Sequence, residues 1–327
     1  MEPAILPTQP ESSSGSGDQV AAPGRSVIGN RPFVRPLIGN RRPWVRLPTT
    51  TSNRDEDMDQ LSKALRANDL AAVDSLITSF VAKGYTIHQL SPILFQAVAV
   101  DNAEFAEKLL RRQIVLTHSY VRAAVKSRAK RCLELFSRYG FDINKPECAT
   151  RPPAWTYLTD NREMVYWLLE HGANLNVHGE CDFTTVMSGV VEVAPPDLIR
   201  DLLDDPRHLV DVYKGDLLHH ALDRKTDDIA PVLAMLLDHG APINEGLYAR
   251  HLASQNMYFF MPRGPPLHKA AEKGQLDAVR FLLSRHADVS IRDTQGKTAL
   301  FYAEKKGHTE IVEVLQKAMA EFKTQHL

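Results

Sequence analysis

Apolar positions fall into paired helical patches in the last third of the chain. Ala278, Val279, Phe281, Leu282 and Leu283 make one patch, and Ile311, Val312, Val314 and Leu315 make another thirty-three residues later. Each patch follows a block that recurs at the same interval. The first block is Pro265-Pro266-Leu267-His268-Lys269-Ala270-Ala271-Glu272-Lys273-Gly274, and the second is Thr298-Ala299-Leu300-Phe301-Tyr302-Ala303-Glu304-Lys305-Lys306-Gly307. The spacing predicts two short helices per unit, with Leu283 and Leu315 in the core. A helix pair with one apolar stripe cannot bury that stripe alone, so such units must stack.

Earlier in the chain the first block decays, but the end of the second helix persists. Leu168-Leu169-Glu170-His171-Gly172-Ala173-Asn174-Leu175-Asn176 and Leu236-Leu237-Asp238-His239-Gly240-Ala241-Pro242-Ile243-Asn244 are close copies. A weaker one runs from Leu135 to Asn144, and a fourth from Leu282 to Ser290 has His286 where the others have glycine. Gly140, Gly172 and Gly240 suit a left-handed helix end, so His286 is expected to be mildly strained there. Near the start, Leu61, Ala64 and Leu65, then Val73, Leu76 and Ile77, read as one more helix pair.

The thirty-three-residue period, the T-P-L-H-x-A-like box and the L-L-x-x-G-A-x-x-N tail resemble the ankyrin repeat. About eight units are expected, starting near residues 58, 91, 118, 150, 184, 216, 263 and 296. The resemblance implies an all-α ankyrin-repeat solenoid over 58–327, built of helix-turn-helix units with short β-hairpin fingers. It also implies recognition of a protein partner through the concave surface of finger tips and first helices. The candidate contacts are then Trp155 and Tyr157, His178, Glu180 and Asp182, Lys269 and Lys273, and Arg292, Thr294 and Gln295.

Two departures from the pattern stand out. Asp216 takes the box threonine position opposite His219 and could accept its proton. And Leu267 lies 23 positions after Asn244, whereas Leu300 lies 10 after Ser290, so about 13 extra residues form an inserted loop at 245–263. Insertions in stacked repeats map to loops on one face, often the binding face. This one contains Met257-Tyr258-Phe259-Phe260-Met261. Alternate members could pack onto the flanking helices, or Tyr258 and Phe260 could anchor a partner.

Residues 1–57 differ in kind. Prolines are dense, no helical period appears, and Ser12-Ser13-Ser14-Gly15-Ser16-Gly17 is of flexible-linker type, so a disordered arm is predicted. A tandem I-G-N-R peptide lies within it, at 27–36 and 37–48. Between Asp18 and Arg54 there are six arginines, no lysine and no acid. Arg31, Phe33, Arg35, Arg41, Arg42, Trp44 and Arg46 form a candidate linear motif. The duplication fits bivalent docking, nuclear import or a neutral tail.

Charge and chemistry narrow the functional classes. Thirty-nine basic and 40 acidic residues leave a net charge of −1, so no global field draws the chain to nucleic acid or membrane. Eight basic residues between Lys108 and Arg131 with no intervening acid, and nine aspartates against five basic residues over 197–228, suggest an electrically graded array or simply solvated helix faces. Three scattered cysteines favour a reducing compartment, cytosol or nucleus. No apolar run long enough for a membrane span, no phosphate-binding glycine loop and no hydrolase or metalloprotease motif occurs. His178 and Cys181 have ligand spacing, but no second pair follows at a zinc-finger distance. No catalytic residue, metal, cofactor or small-molecule substrate is therefore expected, nor direct nucleic-acid binding, and outside complexes the chain is expected to be monomeric. Two roles fit: a protein-interaction scaffold or adaptor, and a nuclear transcriptional coregulator that does not read DNA itself.

Overall fold

The computed structural model describes residues 51–156 and 161–325. The arginine-bearing linear motif, Arg31 to Arg46, and Tyr157 lie outside the described residues. Helix pairs follow one another along the chain: Thr51–Arg66 (α1) with Leu70–Ala82 (α2), Ser91–Ala99 (α3) with Ala103–Leu110 (α4), and His118–Lys126 (α5) with Lys130–Arg138 (α6). A two-stranded hairpin, Pro146–Cys148 (β1) and Arg151–Pro153 (β2), precedes Arg162–Glu170 (α7). Val186–Val193 (α8) then pairs in sequence with Pro196–Asp204 (α9), and Leu217–Ala221 (α10) with Ile229–Asp238 (α11). After the lone helix Leu252–Met257 (α12) come Pro266–Lys273 (α13) with Leu276–Ser284 (α14), and Ala299–Lys306 (α15) with Thr309–Gln325 (α16).

First helices pack in a row, α1 on α3 on α5 and, further on, α8 on α10 on α13 on α15. Second helices form another, α2 on α4 on α6 and α9 on α11 on α14 on α16. One apolar core runs between the rows, from Leu61 through Val98, Phe136, Leu168, Val190, Leu236 and Leu282 to Leu315. This is the stacking that the lone apolar stripe of each unit demands.

Two ladders of side-chain hydrogen bonds tie successive units together from the third onward. At the third residue of a first helix, Ser188 Oγ donates to Gly215 O at 2.7 Å, His219 Nε2 to Gly264 O at 3.1 Å and His268 Nε2 to Lys297 O at 3.0 Å. Each acceptor is the carbonyl just before the next unit's helix cap. Because a carbonyl only accepts, both imidazoles carry their proton on Nε2. Burial favours the neutral ring in both, pushing His219 down to about 3 and His268 below its ordinary value. The second ladder uses the tail asparagines. Asn144 Oδ1 accepts from Asn174 N, Asn176 Oδ1 from Asp211 N and Asn244 Oδ1 from Asp288 N, at 2.8, 2.8 and 2.9 Å.

Several expectations need correction. The first helix starts at Thr51, not 58, because the polar run ahead of Met58 is helix-compatible although it carries no apolar period. Asp57, placed in the arm by sequence, is buried and takes a 2.6 Å bond from Lys83 Nζ. Among the described residues only β1–β2 is a paired hairpin finger, with one isolated bridge between His178 and Thr185. Elsewhere aspartate and asparagine side chains claim the backbone amides of the turns: Asp142 holds Asn144 N, Asp211 holds Tyr213 N and Asp288 holds Ser290 N. Leu282, not Leu283, is the fully buried leucine of its pair, and Leu283 is half-buried against the core. Asp216 does not pair with His219, whose ring reaches Gly264 instead. The left-handed tail positions stand as expected, with φ of +80°, +87° and +87° at Gly140, Gly172 and Gly240 and +65° at His286.

Candidate protein-binding surface

The 245–263 insertion is not a bare loop. It folds around α12, and short-range polar chemistry shapes it. His251 caps the helix, its Nδ1 accepting from Ser254 N at 3.2 Å, and burial keeps that ring neutral by lowering its pKa. At the other end Arg263 Nη1 donates to the carbonyls of Gln255 and Tyr258, both at 3.1 Å, satisfying acceptors that a helix end leaves free.

One side of the insertion is clamped to the 178–185 finger. Ser254 is fully buried and its Oγ donates to Cys181 O at 3.0 Å. The Tyr258 hydroxyl donates to Asp182 Oδ2 at 3.0 Å, and burial, then this bond, raise the phenol's pKa. The His251 ring stacks on Phe183, centroids 5.0 Å apart and planes 6° apart. At the base, Leu247 N donates at 3.2 Å to Gly264 O, the same carbonyl that His219 reaches. Asp216 Oδ2 accepts from Tyr248 N at 3.1 Å.

The other side is apolar and open. Phe259 and Phe260 are 75% and 65% exposed, and Met257 and Met261 are exposed beside them. Leu252 is exposed as well. Thr294 of the last finger binds the end of this run: its Oγ1 accepts from Arg263 N at 3.2 Å and lies 3.5 Å from Met261 O. Beneath it lies a cleft of about 320 Å³ lined by Leu247, Met261, Pro262, Lys269, Glu272 and Tyr302.

Burial pushes Asp216 up to about 6, although the Tyr248 amide opposes the shift. The sign follows from linkage: the folded state holds this proton more tightly than the unfolded chain, so stability from this group is lost as pH rises from about 4 to about 6. Asn tolerates the left-handed backbone here, φ +50°, and keeps an acceptor for Tyr248 N. Asp216→Asn is therefore expected to stabilise the fold at pH 7.5 by about 1–3 kcal/mol, with the gain shrinking toward zero at pH 4. Denaturant titrations of variant and parent at each pH check this. A gain that does not vary with pH would mean Asp216 is not a buried charge.

The remaining sequence candidates divide. Trp155 is fully buried in the core and cannot touch a partner. Trp155 lies in the turn 154–156 just after β2, where all three residues are buried. His178, Asp182 and Tyr258 are half-buried and engaged internally: His178 Nδ1 lies 2.7 Å from Gly179 O, and its ring meets Phe183 and His251 edge-on. Lys269 and Lys273 both bind Asp223, at 2.6 and 2.7 Å. Glu180, Phe260, Arg292 and Gln295 are exposed. Tyr258 and Phe260 do not share a face, because 257–261 is a helix end and a turn, where strand alternation does not apply. Tyr258 turns in, and Phe259 and Phe260 turn out.

The charged regions are largely compensated. In the basic stretch, Lys108 pairs with Asp74, Arg122 with Glu147, Lys130 with Glu163 and Arg131 with Glu104. In the acidic stretch, Asp197 and Asp201 share Arg162, Asp205 pairs with Arg207, and Asp228 with Arg224. Among the described residues, Glu192, His220 and Asp223 offer three ligand atoms within 4.8 Å of one another. Two lysine ammonium groups already occupy Asp223 and oppose a cation there, so the trio is a charge network joining α8, α10 and α13. Among the described residues no helix is long and apolar enough to cross a membrane.

Comparison with known proteins places the repeats. Residues 261–326 match the family model described as ankyrin repeats in three copies. The chain is similar to the probable E3 ubiquitin-protein ligase XBOS33 of Oryza sativa subsp. japonica, 52% identical over 50 residues, which are 15% of this chain and 10% of that one. It is 36% identical to the human Espin-like protein over 86 residues, 26% of this chain and 7% of that one. It is 28% identical to the human ARF GTPase-activating protein GIT2 over 160 residues, 47% and 21%. The matched stretches thus span small parts of these relatives. A solved structure, the ankyrin repeat domain of Bcl-3, aligns at 22% identity and a TM-score of 0.45, over 63% of this chain and 86% of that one. The T-P-L-H-like box, the glycine-ended tails and the stacked helix pairs agree with that match: residues 261–326 are ankyrin repeats, and the helix pairs before them stack in the same manner.

Proposed function

We propose that this protein is a non-enzymatic interaction scaffold whose partner docks on the open side of the 245–263 insertion and the adjoining last finger. The observation that carries this reading is the placement of Met257, Phe259, Phe260 and Met261. A monomer gains nothing from four large apolar side chains in water, yet the segment is held in that pose by a buried serine, a capped helix and an aromatic stack. A clamped scaffold presents its contacts with little ordering cost on binding. Repeat stacking supports the same role, since it builds an extended surface rather than an enclosed pocket. The three cysteines are free, which supports the cytosol or nucleus as the working compartment.

Phe259→Ser with Phe260→Ser tests the reading. Both rings are mostly solvent-exposed, so the melting temperature is expected to stay within about 2 °C of the parent, since surface substitutions usually change stability by less than ~0.5 kcal/mol. Crosslinking capture from cells should lose the proteins that the parent retains. An unchanged captured set would sink the proposal, and a large fall in melting temperature would recast the phenylalanines as packing.

A further inference from the structure

The cations beside the apolar patch differ from those around them. Arg250 pairs with Glu245, Lys269 and Lys273 with Asp223, Arg285 with Asp238, and Lys306 with Glu272. Arg263, Arg292 and Lys297 have no carboxylate within 4 Å among the described residues. Arg263 donates to two carbonyls, Arg292 Nη1 donates to Gly296 O at 2.8 Å, and Lys297 Nζ sits 4.6 Å over the half-exposed Phe301 ring. The Thr294 hydroxyl ties the Arg292–Lys297 finger to Arg263 and Met261, so these charges border the patch. The acids on the side of the last finger are already committed. Glu272 faces Lys306, and the buried Asp293 accepts from the Tyr302 hydroxyl and from the amides of Gln295 and Lys297.

A surface that is apolar at its centre and bordered by unneutralised cations selects its complement. An approaching carboxylate meets Arg292 and Lys297 without displacing an existing ion pair, whereas a basic segment meets like charge. The aromatic and methionine side chains offer adaptable contact to a ring or a branched aliphatic chain. We infer that Met257, Phe259, Phe260 and Met261, flanked by Arg263, Arg292 and Lys297, form a docking site for a peptide segment of another protein that bears aromatic or leucine residues flanked by aspartate or glutamate. This rests on the scaffold role proposed above and names the chemistry of what that surface takes. Charge sets the encounter rate and orientation, and the apolar centre sets the lifetime of the complex.

Selection from a random twelve-residue peptide library displayed on phage, with the full chain as bait, tests it directly. Enriched peptides are expected to combine Phe, Trp or Leu with Asp or Glu. The strongest of them, dye-labelled, would then be titrated against the parent, Phe259→Ser with Phe260→Ser, and Arg292→Glu with Lys297→Glu. Both variants are expected to weaken binding at least about tenfold, and raising salt from about 50 to 500 mM should weaken the parent by a similar factor, as screening requires. Arg263 stays unaltered because it caps α12. Peptides that need the phenylalanines but lack acidic residues, or that are indifferent to the charge reversal, would leave the scaffold role standing and overturn the acidic specificity. Absence of any peptide that needs the phenylalanines would overturn both.

Discussion

Trp155→Ala is expected to destabilise the fold by about 3–5 kcal/mol, the usual range for deleting a fully buried aromatic side chain. The indole has no exposed surface and belongs to the continuous core. It sits at the start of the 151–170 unit, in the turn 154–156 that follows the β1–β2 hairpin. Loss of that ring removes apolar burial and leaves a void that neighbours held by their own units refill poorly. Stacked repeats interact only with their neighbours, so a defect there weakens the joint between the early and the late units. Denaturant titration followed by circular dichroism should show a midpoint well below the parent's, and a second transition if the joint opens first. A curve that overlays the parent's would return Trp155 to the surface.

Gly215→Ala is the second large effect, about 3–5 kcal/mol. Three causes add. The backbone φ is +77°, which costs a Cβ-bearing residue about 1 kcal/mol or more. The new methyl would collide with Ser188 Oγ and Thr185 Oγ1 and come within 2.9 Å of Thr185 Cγ2. Overpacking of this kind costs about 1–3 kcal/mol. Finally, moving Ser188 breaks its bond to Gly215 O and disturbs the capping box in which Thr185 Oγ1 accepts from Ser188 N, at a cost of roughly 1–3 kcal/mol if a buried group is left unpaired. Gly296→Ala is the internal control. Its φ of +74° is nearly the same, but a methyl there meets nothing within 4 Å. It should lose about 1 kcal/mol, and equal losses in the two variants would show that the packing argument is wrong.

Periodic features of this fold were legible in the sequence because each is a local rule repeated. The helix pairs, the left-handed tail glycines and the structural role of His268 follow from residue type at fixed offsets. Relations between distant residues were not legible. Nothing in the spacing says that Ser188, at the box histidine position, does the histidine's work, or that His219 reaches Gly264 across the insertion. The run 257–261 was visible as greasy, but its facing depends on where α12 ends: alternation left packing and a Tyr258–Phe260 anchor both open, and the structure turns Tyr258 in and exposes Phe259 with Phe260. Trp155 was misplaced for a related reason: a large aromatic near a finger reads as a contact, and only the packing around it shows that it fills the core. Charge runs misled in the same direction, since partners such as Lys130 and Glu163 lie 33 residues apart.

The bond from His219 to Gly264 closes the neck of the insertion with the same contact that stacks one unit on the next. The neck is also pinched by Leu247 N on that carbonyl, and a Cβ on Gly246 would lie 2.7 Å from Arg263 O. Register between the sixth and seventh units is therefore set below the neck, whatever emerges above it. Closing a longer excursion adds only a logarithmic entropy cost, about 0.6 kcal/mol per doubling. The segment above the neck can thus be exchanged as a cassette, much as hypervariable loops are on a constant framework. Its outward side chains, such as Phe259 and Phe260, are free to drift while Ser254, Tyr258 and His251 hold the segment to the 178–185 finger.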